Sequence, residues 1–292
     1  MGYGSRYFVN ATDGIDYKQT PMNIALVDRK LFVVTEAVGV SVYDFDFELH
    51  FSCSHPYQIE GEAPCVLRIG AIPDYEIEFN DKAALGLRLV NSPEEHELAS
   101  ELEHWYPLIE DLTPRTLVFN ELPQAHVIEE AFAWPVFIKG SRQTSKHNPD
   151  LSVVQSRSQY ELIVQRYKAD PILHWQKPVV REFVQLAAVA GHVPGKVAPS
   201  IEYRSFWWYG ECVGWGRYWY QVPVYDPEDA ASGLEVAQEV ARRLAVPFLV
   251  VDFAKTADGR WIVIECNDAQ ESGYVAVSPH TLWRNVLERM GA

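Results

Sequence analysis

The sequence predicts an α+β protein in two parts, a strand-rich N-terminal domain over residues 1–114 and a second domain over residues 115–292. Three observations carry this. Apolar strand patterns dominate the first 80 or so residues, helix-capping signatures begin at Ser92, and the last third alternates apolar hairpins with amphipathic helical stretches.

Composition sets the bounds. With 292 residues, 48% hydrophobic and 13% aromatic, the chain can bury a sizeable core without staples. Cys53, Cys65, Cys212 and Cys266 show no C-x-x-C spacing, which points to packed, reduced thiols and a cytoplasmic protein. No basic stretch followed by an apolar run opens the chain, and no apolar run reaches about 18 residues, so no membrane segment is expected. A formal charge of −15 disfavours nucleic acid, because phosphate neutralisation needs clustered Lys and Arg. There is one local exception: residues 131–149 contain no acid but hold Lys139, Arg142, Lys146 and His147.

Taken in order, IALV and LFVV flank Asp28-Arg29-Lys30 as a hairpin, and VSVYDFDFELHF alternates as a strand with Asp44, Asp46 and Glu48 on its wet face. Ser92-Pro93-Glu94-Glu95 is a capping box with Pro in the first turn, so Pro93 to about Tyr106 is expected to be one helix. Pro107 and Pro114 end that run and put a domain boundary near residues 112–116. WPVFIKG is a short apolar strand delivering Lys139 into the polar loop GSRQTSKHNPD. Hydroxyls and backbone N–H groups beside compact ammonium charges suit phosphate; the competing reading is a surface hairpin with solvated cations.

Ser158-Gln159-Tyr160-Glu161 opens a helix to about Lys168, whose Tyr160, Ile163, Val164 and Tyr167 form a core stripe, and VVREFVQL follows as a strand over 179–186. Ile201 to Trp208 and Glu211 to Trp219 pair about Tyr209-Gly210. A two-residue turn there sets Glu202 opposite Arg217, with Arg204 on the same face, as either a self-satisfied structural cluster or an anion site. The aromatic side chains of this hairpin read as packing rather than as a stacking platform. Asp226-Pro227 starts a helix to about Leu244, and Ser278-Pro279 starts the last one, to Met290.

The stretch VVDFAKTADGRWIVIECND carries the most chemistry. Two apolar strands, Phe248 to Ala254 and Arg260 to Asn267, meet at Asp258-Gly259, a pair that favours a two-residue type I′ turn. Such a turn sets Asp252 opposite Glu265, and strand alternation puts Asn267 on the same face. A three-residue loop would destroy that register. Facing carboxylates repel unless a counter-charge is present, and a hard cation such as Mg2+ takes carboxylate and amide oxygens. The competing reading leaves one carboxylate at a solvated edge.

Several nucleotide motifs are absent. There is no G-x-x-x-x-G-K-[ST], Gly214-Trp215-Gly216 lacks a third glycine, and no H-R-D loop precedes Asp252-Phe253-Ala254. The order D-F-A-x-x-x-D-G-R-W-x-x-x-E-x-N-D instead resembles the closing metal-binding strands of the ATP-grasp superfamily. V-N-S-P-E-E, T-P-R-T and K-G-S-R-Q-T-S-K-H are similar to the ATP-grasp clade named for its two arginines and one lysine. The resemblance spans residues 90 to 292.

It implies an ATP-grasp fold, two α+β lobes clasping ATP, with a lid lobe over about 130–185 and a core lobe over about 186–292. It implies ATP and Mg2+ as cofactors, with Asp252, Glu265 and Asn267 holding the metal. Lys139 and Lys146 would meet the phosphates, and Glu182 with the backbone of Phe183 and Val184 would meet adenine. Arg204, with Arg217 beside it, would take a phosphate or acyl phosphate, and Lys146 would share in catalysis. The implied activity is an ATP-dependent carboxylate–amine ligase acting on small-molecule or peptide substrates. The rivals are a phosphotransferase, a nucleic-acid end ligase and a non-catalytic nucleotide-binding module. The strand-rich opening departs from the small α/β unit that usually precedes this fold.

Overall fold

The computed structural model describes residues 22–35, 45–59, 64–68, 70, 74–142, 149–171 and 173–290. Its strands fall into three sheets. In the first, β1 (Asn23–Val27) and β2 (Leu31–Thr35) form the expected hairpin, with Asp28 and Arg29 at positive φ (47° and 58°). β3 (Cys53–Ser54), β4 (Pro64–Arg68) and β5 (Arg88–Leu89) complete the order β3-β1-β2-β4-β5. α1 (Tyr75–Ala84) crosses between the parallel β4 and β5, so the strand-rich opening contains a β-α-β unit after all.

The strand expected over VSVYDFDFELHF is not formed in its second half, where Phe47–Leu49 is a short 3-10 turn. The Asp46 carboxylate accepts from the backbone N–H of Glu48 and Leu49 (3.0 and 3.4 Å), which competes with a ladder. Asp44 lies outside the described residues.

The single helix expected from Pro93 is two, α2 (Pro93–Ser100) and α3 (Leu102–Ile109). The capping box of Ser92 and Glu95 forms as read. The break falls at Glu101 (φ −95°, ψ 118°), and Pro107 sits inside α3 rather than ending it. The cause is tertiary: the Glu101 carboxylate accepts from the Ser141 hydroxyl (2.8 Å), and Leu102 N–H donates to the Ser141 carbonyl (3.3 Å).

β6 (Thr116–Val118), β7 (Val136–Gly140), β8 (Val153–Val154) and β9 (Pro178–Glu182) form the second sheet, ordered β6-β9-β7-β8. α4 (Ala125–Ala131) and α5 (Arg157–Ala169) pack against it through Ile128, Tyr160, Ile163 and Tyr167. α5 is capped by Ser156 rather than by Ser158.

The third sheet holds β10 (Glu202–Trp208), β11 (Glu211–Arg217), β12 (Phe248–Lys255) and β13 (Trp261–Asp268), antiparallel in the order β11-β10-β12-β13. It is buried on both faces. Tyr203, Trp207, Val251 and Phe253 face α3 and α6 (Ala230–Leu244). Phe206, Trp208, Phe248 and Val250 meet the first sheet and α7 (Pro279–Arg289). Trp207, Trp208 and Trp219 are core residues, as their pattern suggested. α6 begins after Asp229 rather than at Asp226-Pro227, because the Asp229 carboxylate is held by Lys255 (2.7 and 2.8 Å) and by the Trp261 indole (3.1 Å).

Gly233 shows how closely α6 sits on this sheet. A Cβ there would come within 2.5 Å of Trp261 and 2.7 Å of Phe253. Gly233→Ala is therefore expected to lower stability by up to about 2 kcal/mol, since overpacking at ~1–3 kcal/mol outweighs the helix-propensity gain of ~1 kcal/mol. Denaturant unfolding checks this; a midpoint at or above that of the parent would contradict the packing.

Candidate functional site

The site begins at the β12–β13 hairpin. Its turn is not the two-residue type I′ turn expected but a three-residue loop: Thr256 N–H donates to Arg260 O (2.8 Å), Gly259 N–H to Thr256 O (2.9 Å), and only Gly259 has positive φ (91°). Such a loop alone would move Asp252 off Glu265. A β-bulge restores the register, because Phe253 pairs with Val263 while Asp252 pairs with Glu265, leaving Ile264 as the extra residue. The two carboxylates face each other as expected, through a different backbone path. Asn267 shares their face two residues further along.

Arg204 on β10 is the register partner of Asp252 on its other side. Arg204, Asp252 and Glu265 thus lie side by side across three strands. Arg204 Nε and Nη2 donate to the two oxygens of Asp252 (2.8 and 2.7 Å), and both residues are buried. Burial alone would lower the guanidinium pKa; the Asp252 carboxylate reverses this and holds it above its ordinary value. Lys139, at the end of β7 in the second sheet, crosses to the row and donates to the Glu265 carboxylate. Two acids and two bases from two sheets make one compact neutral set.

Arg181 on β9 lies beside it, fully buried, donating to Ile264 O (2.7 Å), Thr113 Oγ1 (2.5 Å) and Thr116 Oγ1 (3.1 Å). Burial pushes its pKa down to about 10 against the opposing pull of Glu265. The guanidinium therefore braces the bulge residue that sets the Asp252–Glu265 register. Spacing within VVREFVQL gave no sign of this.

A cleft of about 300 Å³ opens between the second and third sheets. Lys139, Arg181, Asp252 and Glu265 line one part, and Phe137, Val153, Ile262 and Ile264 give it apolar walls. Glu182, Phe183, Val184 and Gln185 line it too, although β9 stops at Glu182, short of the strand expected to Leu186, and the following residues are loop. Glu202 also lines the cleft, where its carboxylate accepts from the Trp219 indole (3.0 Å).

Arg217 is a correction. The Tyr209-Gly210 turn has both residues at positive φ (46° and 80°) as expected, but a bulge between Phe206 and Trp207 slips the register by one. Arg217 therefore pairs with Tyr203, not Glu202, on the face away from Arg204. Its guanidinium sits 5.8 Å from the Tyr225 ring centroid, and it is not among the residues lining the cleft. Lys146 and His147 lie outside the described residues.

Among the described residues no three His, Cys, Asp or Glu side chains form a ready cation cage. The donor set on this face is two carboxylates and an amide, all hard oxygens, with Asp252 and Glu265 each balanced by a basic side chain. That set fits Mg2+, which keeps waters and takes further oxygens from a phosphate ligand.

Residues 107–286 match an ATP-grasp domain, family 3 of the clade named for its two arginines and one lysine, over more than half of the chain. The chain therefore belongs to the ATP-grasp superfamily, within that family. No curated protein matches it in sequence. Among solved structures it is similar to the VanG D-Ala:D-Ser ligase of Enterococcus faecalis, at 13% identity and TM-score 0.55, covering 80% of this chain and 71% of that one. It is also similar to the D-alanine–D-alanine ligase of Bacillus anthracis in complex with ATP, at 12% identity and TM-score 0.52, with 77% of each chain covered. A RimK-domain ATP-grasp protein of Sphaerobacter thermophilus matches at 16% and 0.51, covering 77% of this chain and 76% of that one. At such identities the likeness establishes the fold.

Arg204→Met removes both guanidinium hydrogen bonds from a buried carboxylate. The expected loss of stability without metal is about 3–5 kcal/mol. Thermal unfolding should also show millimolar Mg2+ recovering part of it, because a cation can replace the missing charge. Unchanged stability of the variant would contradict the pairing.

Proposed function

We propose that this protein is an ATP-dependent carboxylate–amine ligase. It joins a small-molecule or peptide acid to an amine through an acyl phosphate, with release of ADP and phosphate. The observation that carries the reading is that Asp252, Glu265 and Lys139 line the same cleft as the Glu182–Gln185 segment, with Arg204 paired to Asp252 from the neighbouring strand. One end offers acceptors and backbone groups for a base, the other offers balanced charge for a triphosphate.

Asp252, Glu265 and Asn267 would hold Mg2+, which when bound neutralises phosphate oxygens and aligns the transferred group. When ATP enters, Lys139 exchanges Glu265 for phosphate oxygens, its ammonium acting as a point charge. Arg204 faces the charge that develops on the transferred γ-phosphoryl group as the substrate carboxylate attacks it. The amine then attacks the acyl carbon, and phosphate leaves with the bonding pair of the broken C–O bond. The apolar walls exclude water that would otherwise hydrolyse the acyl phosphate. No protein nucleophile is required, and Lys146 is assigned to the same phosphates. All four cysteines are unpaired thiols, which supports action in a reducing compartment such as the cytoplasm. No helix among the described residues is long and apolar enough to cross a membrane.

Mg2+-ATP should raise the melting temperature of the protein, and Glu265→Gln should remove the metal-dependent part of that rise while leaving a smaller, metal-independent one. An equal rise in the variant would refute the metal assignment. Paired carboxylates and amines screened for ADP release should identify substrates that raise turnover only together. ADP release that responds to an alcohol but to no acid would replace the ligase with a kinase.

A further inference from the structure

A polar cluster underlies the site without belonging to it. His96, on α2, is buried, with its ring stacked on Tyr75 at 4.0 Å between centroids and 1° between planes. Its Nδ1 lies 3.0 Å from Asp268 Oδ2, and its Nε2 lies 2.8 Å from Arg142 Nη2. A guanidinium can only donate, so Nε2 accepts from Arg142, and the ring proton sits on Nδ1 and is donated to Asp268. The imidazole is a neutral bridge between a cation and an anion. Glu271 is 3.7 Å from the same Nε2, and Glu101 is 3.5 Å from Arg142 Nε.

The places of these partners in the chain are what matter. Asp268 directly follows Asn267, and its second oxygen accepts from Gln270 N–H (2.8 Å), capping the turn that closes β13. Arg142 comes three residues after Lys139 and directly precedes residues 143–148, which include Lys146. One imidazole therefore ties the end of the candidate metal strand to the segment that leaves β7 after Lys139. A phenyl ring of the same outline would fill the space and stack on Tyr75. Only histidine supplies both a donor and an acceptor in these two directions.

We propose that His96 is a positioning residue for metal-dependent nucleotide binding, acting through Asp268 and Arg142 to hold the Asn267 end of β13 at a fixed distance from the Lys139 end of β7. The proposal rests on the nucleotide reading of the cleft given above. It gives His96 a role in binding that packing alone would not.

Three variants of the whole chain separate the links. His96→Asn keeps an amide N–H near the Nδ1 position and loses Arg142, His96→Gln keeps an amide oxygen near the Nε2 position and loses Asp268, and His96→Phe loses both. Calorimetry with a non-hydrolysable ATP analogue in Mg2+ is compared with ADP in EDTA, alongside the melting temperature of each unliganded protein. His96→Phe should weaken the Mg2+-dependent binding on the order of tenfold or more, as outer-shell partners of metal ligands do. The two amide variants should fall between it and the parent, and ADP without metal should bind all four proteins alike. Folded variants that bind the Mg2+ complex like the parent would overturn the proposal. So would a loss equal with and without metal, which marks a structural role alone. A parent that binds no Mg2+-nucleotide would instead sink the nucleotide reading, and the positioning role with it.

Discussion

The row of alternating charge across β10, β12, β13 and the end of β7 is the interaction on which the site depends. Asp252 and Glu265 face each other across a strand pair, an arrangement that repels unless it is balanced. Arg204 balances one acid within the sheet, and Lys139 balances the other from a different sheet. The second contact spans the cleft, so the charge set also holds the two lobes together. On the proposed function, a ligand that brings its own negative charge and a cation would take over both pairings. The same residues would then serve as a resting clamp and as a binding surface.

Backbone irregularities place this row. In the β12–β13 pair a bulge at Ile264 offsets a three-residue turn and brings the carboxylates together; in the β10–β11 pair a bulge after a tight type I′ turn turns Arg217 away. Each shifts the register by one residue and so decides which face a charge occupies. Arg181 then commits a buried guanidinium to the carbonyl of Ile264. Holding a bulge in place matters more here than another surface charge would, because a one-residue slip would point Glu265 out of the cleft.

The fold class, the three hairpins and the final helices were legible because their signals are local: capping boxes, turn dipeptides and alternating apolar residues. Of the candidate site, the sequence order anticipated a grouping that the structure shows: Lys139, Glu182, Asp252 and Glu265 line one cleft, and Arg204 joins them through Asp252. What failed depended on distant partners. The helix break at Glu101 answers to Ser141, forty residues on, and the start of α6 answers to Lys255 and Trp261. Bulges leave no mark in a pattern of alternating residues, so the right carboxylate pair was inferred from the wrong turn, and the Glu202–Arg217 pair was inferred from the right turn and was wrong. The bridge of His96, Asp268 and Arg142 joins three separate segments, and no spacing rule links them.

The central claim is that Asp252 and Glu265 exchange their basic partners for a cation when nucleotide binds. Crystals grown with Mn2+ and a non-hydrolysable ATP analogue test this most directly through an anomalous-scattering map. The account predicts a peak between the Asp252 and Glu265 carboxylates, with the Lys139 ammonium moved from Glu265 onto phosphate oxygens. A peak elsewhere, or bound nucleotide with both ion pairs intact and no metal between the acids, would contradict it.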